Sequence, residues 1–473
     1  MEWRIYALPS GIFPQGLSFC VFCGVAIMKF SKYNLIIKQG DTSILFNTLS
    51  GEIYSLDSRL ESAVKNEDPN LLSAQAKEHF LRSHIILDNN YDEERVYRHI
   101  YNKQKYQSRS MTVTILLTWA CNFRCVYCYE GGGEKYSDTM TVETADNVIN
   151  FIINSATARG IQNLHIVLFG GEPLLNIDVG FYVLKNLKNF CTDSGKGFSC
   201  SMISNGSLLT GDILDKLTEF QCRHIQITLD GIEETHNKRR ISKNGEPTFH
   251  QIVENLLLLD KYYLKIAYVI RINVDRSNVA DVEPLMQELR RYGIQHAKID
   301  FGVVRAETEA CQTYESNCFN DSELGSRLDQ LWRLAEKYQF SRYPGLYRRF
   351  CYCGLYCDNS YTISPKGELY KCWEMVGDLK HRIGNICSSG SVDDVSFAYY
   401  DWMTIDPLDN DDCRSCVYLP LCGGGCVMNS VKSTGSYHSS GCFKVKGVVE
   451  QQVLYLVEKK KQLSASNPIT VSN

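Results

Sequence analysis

The 473-residue sequence lacks a long apolar run beyond its first 30 residues, a surplus of charge of either sign, and a repeat of fixed period. No later window of 18 or more residues is free of charge, which excludes a bilayer-spanning helix there. The 50 Lys+Arg nearly balance the 54 Asp+Glu for a net charge of −4, so no basic field exists to hold a phosphate backbone, and nucleic acid is not an expected partner. Without a repeat, a solenoid is not expected either. Hydrophobic residues at 44% and charged ones at 22% are ordinary for soluble globular chains. At about 100–200 residues per domain the length holds two to four domains, each able to bury a core. What is abundant is cysteine, 20 residues of it. A chain this long does not need disulfides for stability.

The stretch Gly16 to Met28, GLSFCVFCGVAIM, is apolar but too short to span a bilayer; it follows one basic residue, Arg4, and shows no clear cleavage site. Met28 offers an alternative start, so residues 1–32 are set apart as a leader of doubtful origin, and the CxxC of Cys20 and Cys23 stays unassigned. The rest reads as soluble and cytoplasmic, with no membrane partner.

Residues 33–110 form a small α/β module. YNLIIKQG and SILFNTLSGEIYSL alternate like strands, SRLESAVKN and NLLSAQAKEHFLRS have helical periodicity, HIILDNN reads as a strand and YDEERVYRHIY as a charged helix. From Thr112 six apolar strand candidates alternate with amphipathic helices: TVTILLTW, LHIVLFGG, FSCSMISNG, HIQITLDG, IAYVIRINVD and AKIDFGVV. That order predicts an α/β fold with a parallel sheet under helices, doubly wound or a partial barrel, and function at the strand carboxyl ends. After about Arg342 periodicity collapses, and ten of the twenty cysteines fall in residues 351–442. Metal rather than a hydrophobic core is expected to organise that part. The boundaries are thus 33–110, 111–340, 341–450, and a C-terminal helix and tail at 451–473.

At the end of the first core strand, TWACNFRCVYCYEGGG spaces Cys121, Cys125 and Cys128 as C-x3-C-x2-C. Three thiolates on one loop can wrap a metal or cluster, yet structural zinc wants four ligands, as do closed iron–sulfur cubanes. Three thiolates on a cubane leave one iron open to chelate a small molecule. A zinc loop with a distant fourth ligand is the plainer alternative.

This spacing, with Tyr127 before the last cysteine, resembles the radical S-adenosylmethionine (SAM) superfamily. Further motifs fall at successive predicted strand ends: Phe169-Gly170-Gly171-Glu172-Pro173, then Ser204-Asn205-Gly206, then Thr228-Leu229-Asp230-Gly231 with His236-Asn237-Lys238-Arg239-Arg240. The resemblance implies a partial (β/α)6 barrel. It also implies that the Gly170–Gly171 backbone and Glu172 hold the SAM amino group, that Ser204 and Asn205 contact ribose, and that Arg240 pairs with the SAM carboxylate, with Tyr127 and Thr228 in the cofactor site. Thr228 replaces the family's Ser, and Asn237 its Asp. The implied chemistry is reductive cleavage of SAM to methionine and a 5′-deoxyadenosyl radical, with Cys121, Cys125 and Cys128 as the catalytic cluster's ligands.

The C-terminal region runs Cys351-x5-Cys357-x14-Cys372, then Cys413-x2-Cys416-x5-Cys422-x3-Cys426-x15-Cys442. C-x2-C followed by further cysteines also occurs in zinc ribbons. The whole pattern resembles the SPASM domain, which binds two auxiliary [4Fe–4S] clusters. Carried over, Cys351, Cys357, Cys372 and Cys426 hold one and Cys413, Cys416, Cys422 and Cys442 the other, with Cys353 able to replace a neighbour. The cofactors implied are three [4Fe–4S] clusters and SAM.

Two substrate classes follow from this group. Anaerobic sulfatase maturases, which make formylglycine, place an Asp base after the matching cysteine; here Cys372 is followed by Trp373 and then Glu374. The 33–110 module instead looks like the winged-helix element with which maturases of ribosomal peptides bind a leader as an added strand. The expected function is therefore oxidative cross-linking of a precursor peptide, most often a Cys thioether, with an electron donor such as flavodoxin or ferredoxin. The hypothesis of another class, a non-enzymatic iron–sulfur carrier or zinc scaffold, needs no SAM pocket.

Overall fold

The structure, a computed structural model, describes residues 4–7, 27–133, 137–306, 309–343 and 345–466. Cys20 and Cys23 lie outside them. Strands β1 (Arg4–Ala7), β3 (Asn34–Gln39), β4 (Thr42–Asn47) and β5 (Glu52–Leu56) form an antiparallel sheet in the order β1-β5-β4-β3. The β3–β4 register closes at Gln39↔Thr42, and the tight turn between them uses Gly40 at φ +57°. Both faces of this sheet are covered. Leu45 and Tyr54 pack on helices α1 (Ser58–Lys65) and α2 (Ala74–Arg82), while Ile44, Phe46 and Ile53 meet Val449, Val453 and Val457 of the C-terminal helix Val448–Ser466. That is why ILF at 44–46 is apolar throughout instead of alternating. Strand β2 (Met28–Phe30) pairs with β6 (Ile86–Asp88), and helix α3 (Glu93–Tyr106) follows, N-capped by Asp92.

The central sheet carries β7 (Ser110–Leu116), β9 (Asn163–Phe169), β10 (Gly197–Ser204), β11 (Cys222–Thr228), β13 (Ala267–Val274) and β14 (Lys298–Val303), all parallel neighbours in that order. A short strand, β8 (Phe123–Cys125), and another, β12 (Arg240–Ser242), pair with each other outside it. Helices α4 (Val142–Ala158), α5 (Ile177–Asp193), α6 (Gly211–Glu219), α7 (Glu233–Arg239), α8 (Phe249–Tyr262), α9 (Val282–Tyr292) and α10 (Asp321–Lys337) fill the connections. The buried faces of the strands and of most of these helices share one core, from Val113 and Ile166 to Leu285 and Trp332. This mixed α/β architecture, with its mostly parallel open sheet, is what a partial (β/α)6 barrel requires, and it sets six strand carboxyl ends on one rim.

The sheet continues past both ends of the six. Strand β15 (Ser341–Tyr343) adds in parallel to β14, and β16 (Ser360–Ile363) in parallel to β7; β17 (Glu368–Tyr370), β18 (Gly384–Ile386) and β19 (Val392–Asp393) then extend it antiparallel. The cysteine-rich region also owns an apolar cluster, contrary to the expectation of metal without a core. Phe350, Tyr356, Met375, Trp402, Leu408 and Val427 pack with Tyr97, Ile100 and Tyr101 of α3. Short-range periodicity does not register it because its members are scattered over loops and short helical turns.

Candidate active site

The loop after β7 is fixed by backbone contact. Gly171 N donates to Thr118 O at 3.0 Å and Glu172 N to Ala120 O at 2.9 Å. A Cβ on Gly170 would stand 2.3 Å from Thr118 O, and one on Gly171 2.4 Å from Trp119 O and 2.5 Å from Ala120 O. Both glycines are thus required for the end of β9 to touch the chain just before Cys121. Beyond the loop, β8 pairs antiparallel with β12 so that Cys125 lies directly opposite Arg240.

A cavity of about 760 Å³ opens from this loop. Of the residues the motifs single out, Cys121, Cys125, Tyr127, Cys128, Gly170, Gly171, Ser204, Asn205, Thr228 and Arg240 line it. Glu172 does not. Its carboxylate is fully buried behind the rim, where Oε1 accepts from Ser204 Oγ (2.8 Å) and Leu174 N (3.1 Å) and Oε2 from Asn205 N (2.7 Å). The group that the motif offers as a ligand contact therefore ties the ends of β9 and β10 together. Asn237, where the family has Asp, accepts from Thr248 N and Phe249 N at 3.0 and 3.2 Å and so binds the start of α8, a task open to either residue type.

Arg240 and Arg239 are divided in role by the structure. Arg239 is paired with Asp275 at 2.8 Å and Asp230 at 3.6 Å and donates through its two terminal nitrogens to Ser277, Tyr314 and Asn273 O, leaving its Nε, like that of Arg240, without a hydrogen bond among the described residues. Arg240 Nη1 donates to Tyr127 Oη at 2.9 Å, while its buried Nε has no partner among the described residues. Tyr127 Oη also accepts from Asn273 Nδ2 (3.1 Å) and donates to Asp230, whose other oxygen accepts from Asn273 N (3.0 Å). Asp230 and Asn273 are site residues that the motif reading did not assign. Asp230 stood inside a quoted motif, but Asn273 had no signal beyond its place near the end of a strand.

Burial pushes the Cys121 thiol up to about 11 and Cys125 up to about 12, and each of the three loop thiols feels the others or Arg240. Bare, they stay protonated at neutral pH, so a metal must displace their protons on binding. Among the described residues no three His, Cys, Asp or Glu side chains converge at single-ion spacing. A looser group suits a cubane, in which each thiolate meets a different iron. Three thiols, an adjacent unpartnered guanidinium nitrogen and a glycine-lined wall fit a cluster with a chelating ligand of carboxylate and amine type.

The second cysteine set also groups. Cys413, Cys416, Cys422 and Cys442 interact mutually. Cys353 lies within the fields of Cys351, Cys357, Cys372 and Cys426, making five thiols at the other position. Of this second set, Cys422 reaches the far wall of the cavity, and the others lie behind its lining. Three carboxylates line it as well: Asp300, paired with Arg271, Glu374, paired with Arg305 at 3.4 Å, and Glu130, whose burial raises it to about 7. The remaining cysteines, Cys191, Cys200, Cys222, Cys311, Cys318 and Cys387, line no part of this cavity.

Comparison with known proteins agrees with this geometry. The profile of the Radical SAM superfamily matches residues 115–293. The cysteine-type anaerobic sulfatase-maturating enzyme of Clostridium novyi (strain NT) is 23% identical over 73% of this chain and 95% of its own length. The mycofactocin maturase MftC of Mycolicibacterium smegmatis is 24% identical over 67% and 79%. Among solved structures, native anSMEcpe with bound AdoMet superposes with a TM-score of 0.55 at 16% identity, covering 75% of this chain and 100% of that one. Streptococcus suis SuiB does so at 0.50 and 13%, covering 87% and 98%. The folds are alike at that level of identity. Residues 115–293 thus match the radical SAM superfamily, whose domains use SAM and a [4Fe–4S] cluster.

Proposed function

We propose that this enzyme is a SPASM-type maturase that oxidatively cross-links a ribosomally made precursor peptide, forming a thioether at a Cys. The observation that carries the reading is the cavity that runs from the Cys121–Cys128 loop to Cys422, of a size suited to a small ligand with part of a peptide. Cys121, Cys125 and Cys128 hold the catalytic cluster. Arg240 Nε takes the SAM carboxylate and the Gly170–Gly171 backbone its amino group, while Glu172 orients Ser204 and Asn205 toward ribose and Thr228 closes the wall. When bound, the cluster and SAM supply a 5′-deoxyadenosyl radical that can take hydrogen from carbon. Phe169, Trp373 and Phe301 keep water from the same space.

The eight further cysteines, Cys351, Cys357, Cys372, Cys426 and Cys413, Cys416, Cys422, Cys442, hold two closed clusters that carry electrons away from the substrate toward a flavodoxin- or ferredoxin-like partner. Three such clusters suit a reducing cytoplasm. No helix among the described residues is long and apolar enough to cross a membrane. The 33–110 module serves as the leader-binding, winged-helix-like element. Its β5 edge, where an added strand would pair, is held by β1 here, so leader binding at that edge requires β1 to leave.

Formylglycine formation is the second reading, favoured by the sulfatase-maturating relative. Against it, Trp373 follows Cys372, and the next carboxylate, Glu374, is engaged by Arg305. An electron carrier would leave the Arg240 side of the cavity without a task. In an anaerobic assay with dithionite and SAM, the reconstituted chain is expected to release 5′-deoxyadenosine; Cys125→Ala should abolish release, and Cys416→Ala should keep part of it while stopping peptide product. No release from protein with verified iron content would sink the enzyme assignment. A peptide product lighter by two hydrogens marks a cross-link, and formylglycine from a sulfatase peptide marks the alternative.

A further inference from the structure

We propose that the wall of the cavity formed by Lys444 and Arg349 is a recognition site for a carboxylate of the substrate, either an Asp or Glu side chain or the C-terminal carboxylate of a peptide. This rests on the peptide-maturase reading above and names the chemistry of what that maturase accepts.

Five cationic side chains line the cavity, Arg240, Arg271, Arg305, Arg349 and Lys444, against three carboxylates, Glu130, Asp300 and Glu374. Two cations are matched: Arg271 with Asp300, and Arg305 with Glu374. Arg240 belongs to the cysteine-loop end. Lys444 and Arg349 have no carboxylate partner among the described residues. Lys444 Nζ has only Phe301 O at 3.5 Å and lies 5.3 Å from the centre of the Phe443 ring, and Arg349 Nη1 has Tyr352 O at 3.4 Å. Arg349 is exposed, whereas Lys444 is half-buried among Arg271, Arg305 and Arg349 with Asp300 as the opposing charge, a surplus of positive charge that an arriving anion would offset.

The surroundings hold these cations in place. Lys444 has φ +53°, a left-handed backbone unusual for a residue with a side chain, and such strain gathers at ligand clamps. Gly302 has no Cβ; one there would stand 2.1 Å from Arg271 Nε and Nη2, so its absence makes room for that guanidinium against β14. The plainer alternative is that Lys444 neutralises thiolates. Lys446 already has that place, acting on both Cys413 and Cys442, whereas Lys444 lies in the field of Arg271, Asp300, Arg305 and Arg349.

The test uses the full chain, anaerobically reconstituted and saturated with SAM, in titration calorimetry with synthetic probes. These are a Cys-containing pentapeptide with Asp flanking the Cys and blocked termini, its Asn counterpart, the Asn counterpart with a free C-terminal carboxylate, and glutarate. A charge-assisted contact should make an acidic probe bind about tenfold or more tighter than the blocked Asn peptide. Preference for the Asp peptide identifies a side chain as the source, and preference for the free carboxylate identifies the C-terminus. Lys444→Met and Arg349→Gln should each erase the preference without weakening the neutral peptide, and Lys444→Arg should keep it. Equal binding of acidic and neutral peptides to the unaltered chain overturns the proposal while leaving the peptide reading standing. Binding of glutarate, lost in Lys444→Met, without binding of any peptide supports the carboxylate site and counts against the peptide reading.

Discussion

Gly171 illustrates how a single position can govern the catalytic loop from the next strand. The motif reading assigns its bareness to a close approach by SAM; the structure shows the space already taken by the carbonyls of Trp119 and Ala120. Gly171→Ala is therefore expected to push back the segment that presents Cys121, lowering iron retained by the first cluster and SAM cleavage together, at a stability cost of about 1–3 kcal/mol. Iron analysis and chemical denaturation check this. His236 makes a different point. It is fully buried, accepts from Asp230 N at 3.4 Å through Nδ1, and is held well below the ordinary histidine range by burial and by Arg240 and Arg239. The unfolded chain takes up that proton first, so the contribution of His236 to stability falls as pH drops below about 6.5, by up to about 1.4 kcal/mol per pH unit. His236→Asn, which keeps an acceptor near Nδ1, should lose less stability than the unaltered chain between pH 7.5 and 5.5 in urea titrations. Equal losses would contradict the assignment.

At the scale of elements, all six core strands and the order of strands and helices in the N-terminal module are legible from apolar runs and periodicity, because each buries a face locally. Short strands that owe their existence to distant partners are not, and three of them show why. Strand β12 is three residues long and exists because it pairs with β8 and brings Arg240 opposite Cys125, a contact across 115 residues that no local pattern records. The parallel pairing of β16 with β7 is likewise nonlocal. Strand β1 lies at the edge of β5, in a segment that composition marks only as a doubtful leader. Under the proposed leader-binding role its position yields a direct expectation: removing residues 1–27 should expose the β5 edge and raise the affinity of the chain for a precursor's leader peptide, measured by fluorescence anisotropy with a labelled leader. Unchanged or weaker binding would place the leader elsewhere.

Over the whole molecule, the cysteine spacings make both sets of thiols legible, whereas the cavity joining them is not, since its walls come from strand ends, the β15–β16 loop region and the residues before the C-terminal helix. The same long-range assembly governs α3. Tyr97 Oη donates to Phe350 O, and Tyr101 Oη and Lys105 Nζ both donate to Ile405 O, at 2.7–2.8 Å, while Arg98 pairs with Asp406 and Asp409. Lys105 is almost fully buried in doing so. The last helix of the N-terminal module is thus built into the walls of the region that carries Cys351 and Cys413. Grafting a foreign N-terminal module onto this chain should fail unless α3 is kept, because the exchange would strip carbonyls of their donors and leave the region of Cys351 and Cys413 unsupported. If the proposed auxiliary clusters form, a chain without residues 28–106 should lose about two thirds of its iron, which iron analysis would measure. The N-terminal module and the cysteine-rich region, separable on a domain map, are here inherited together.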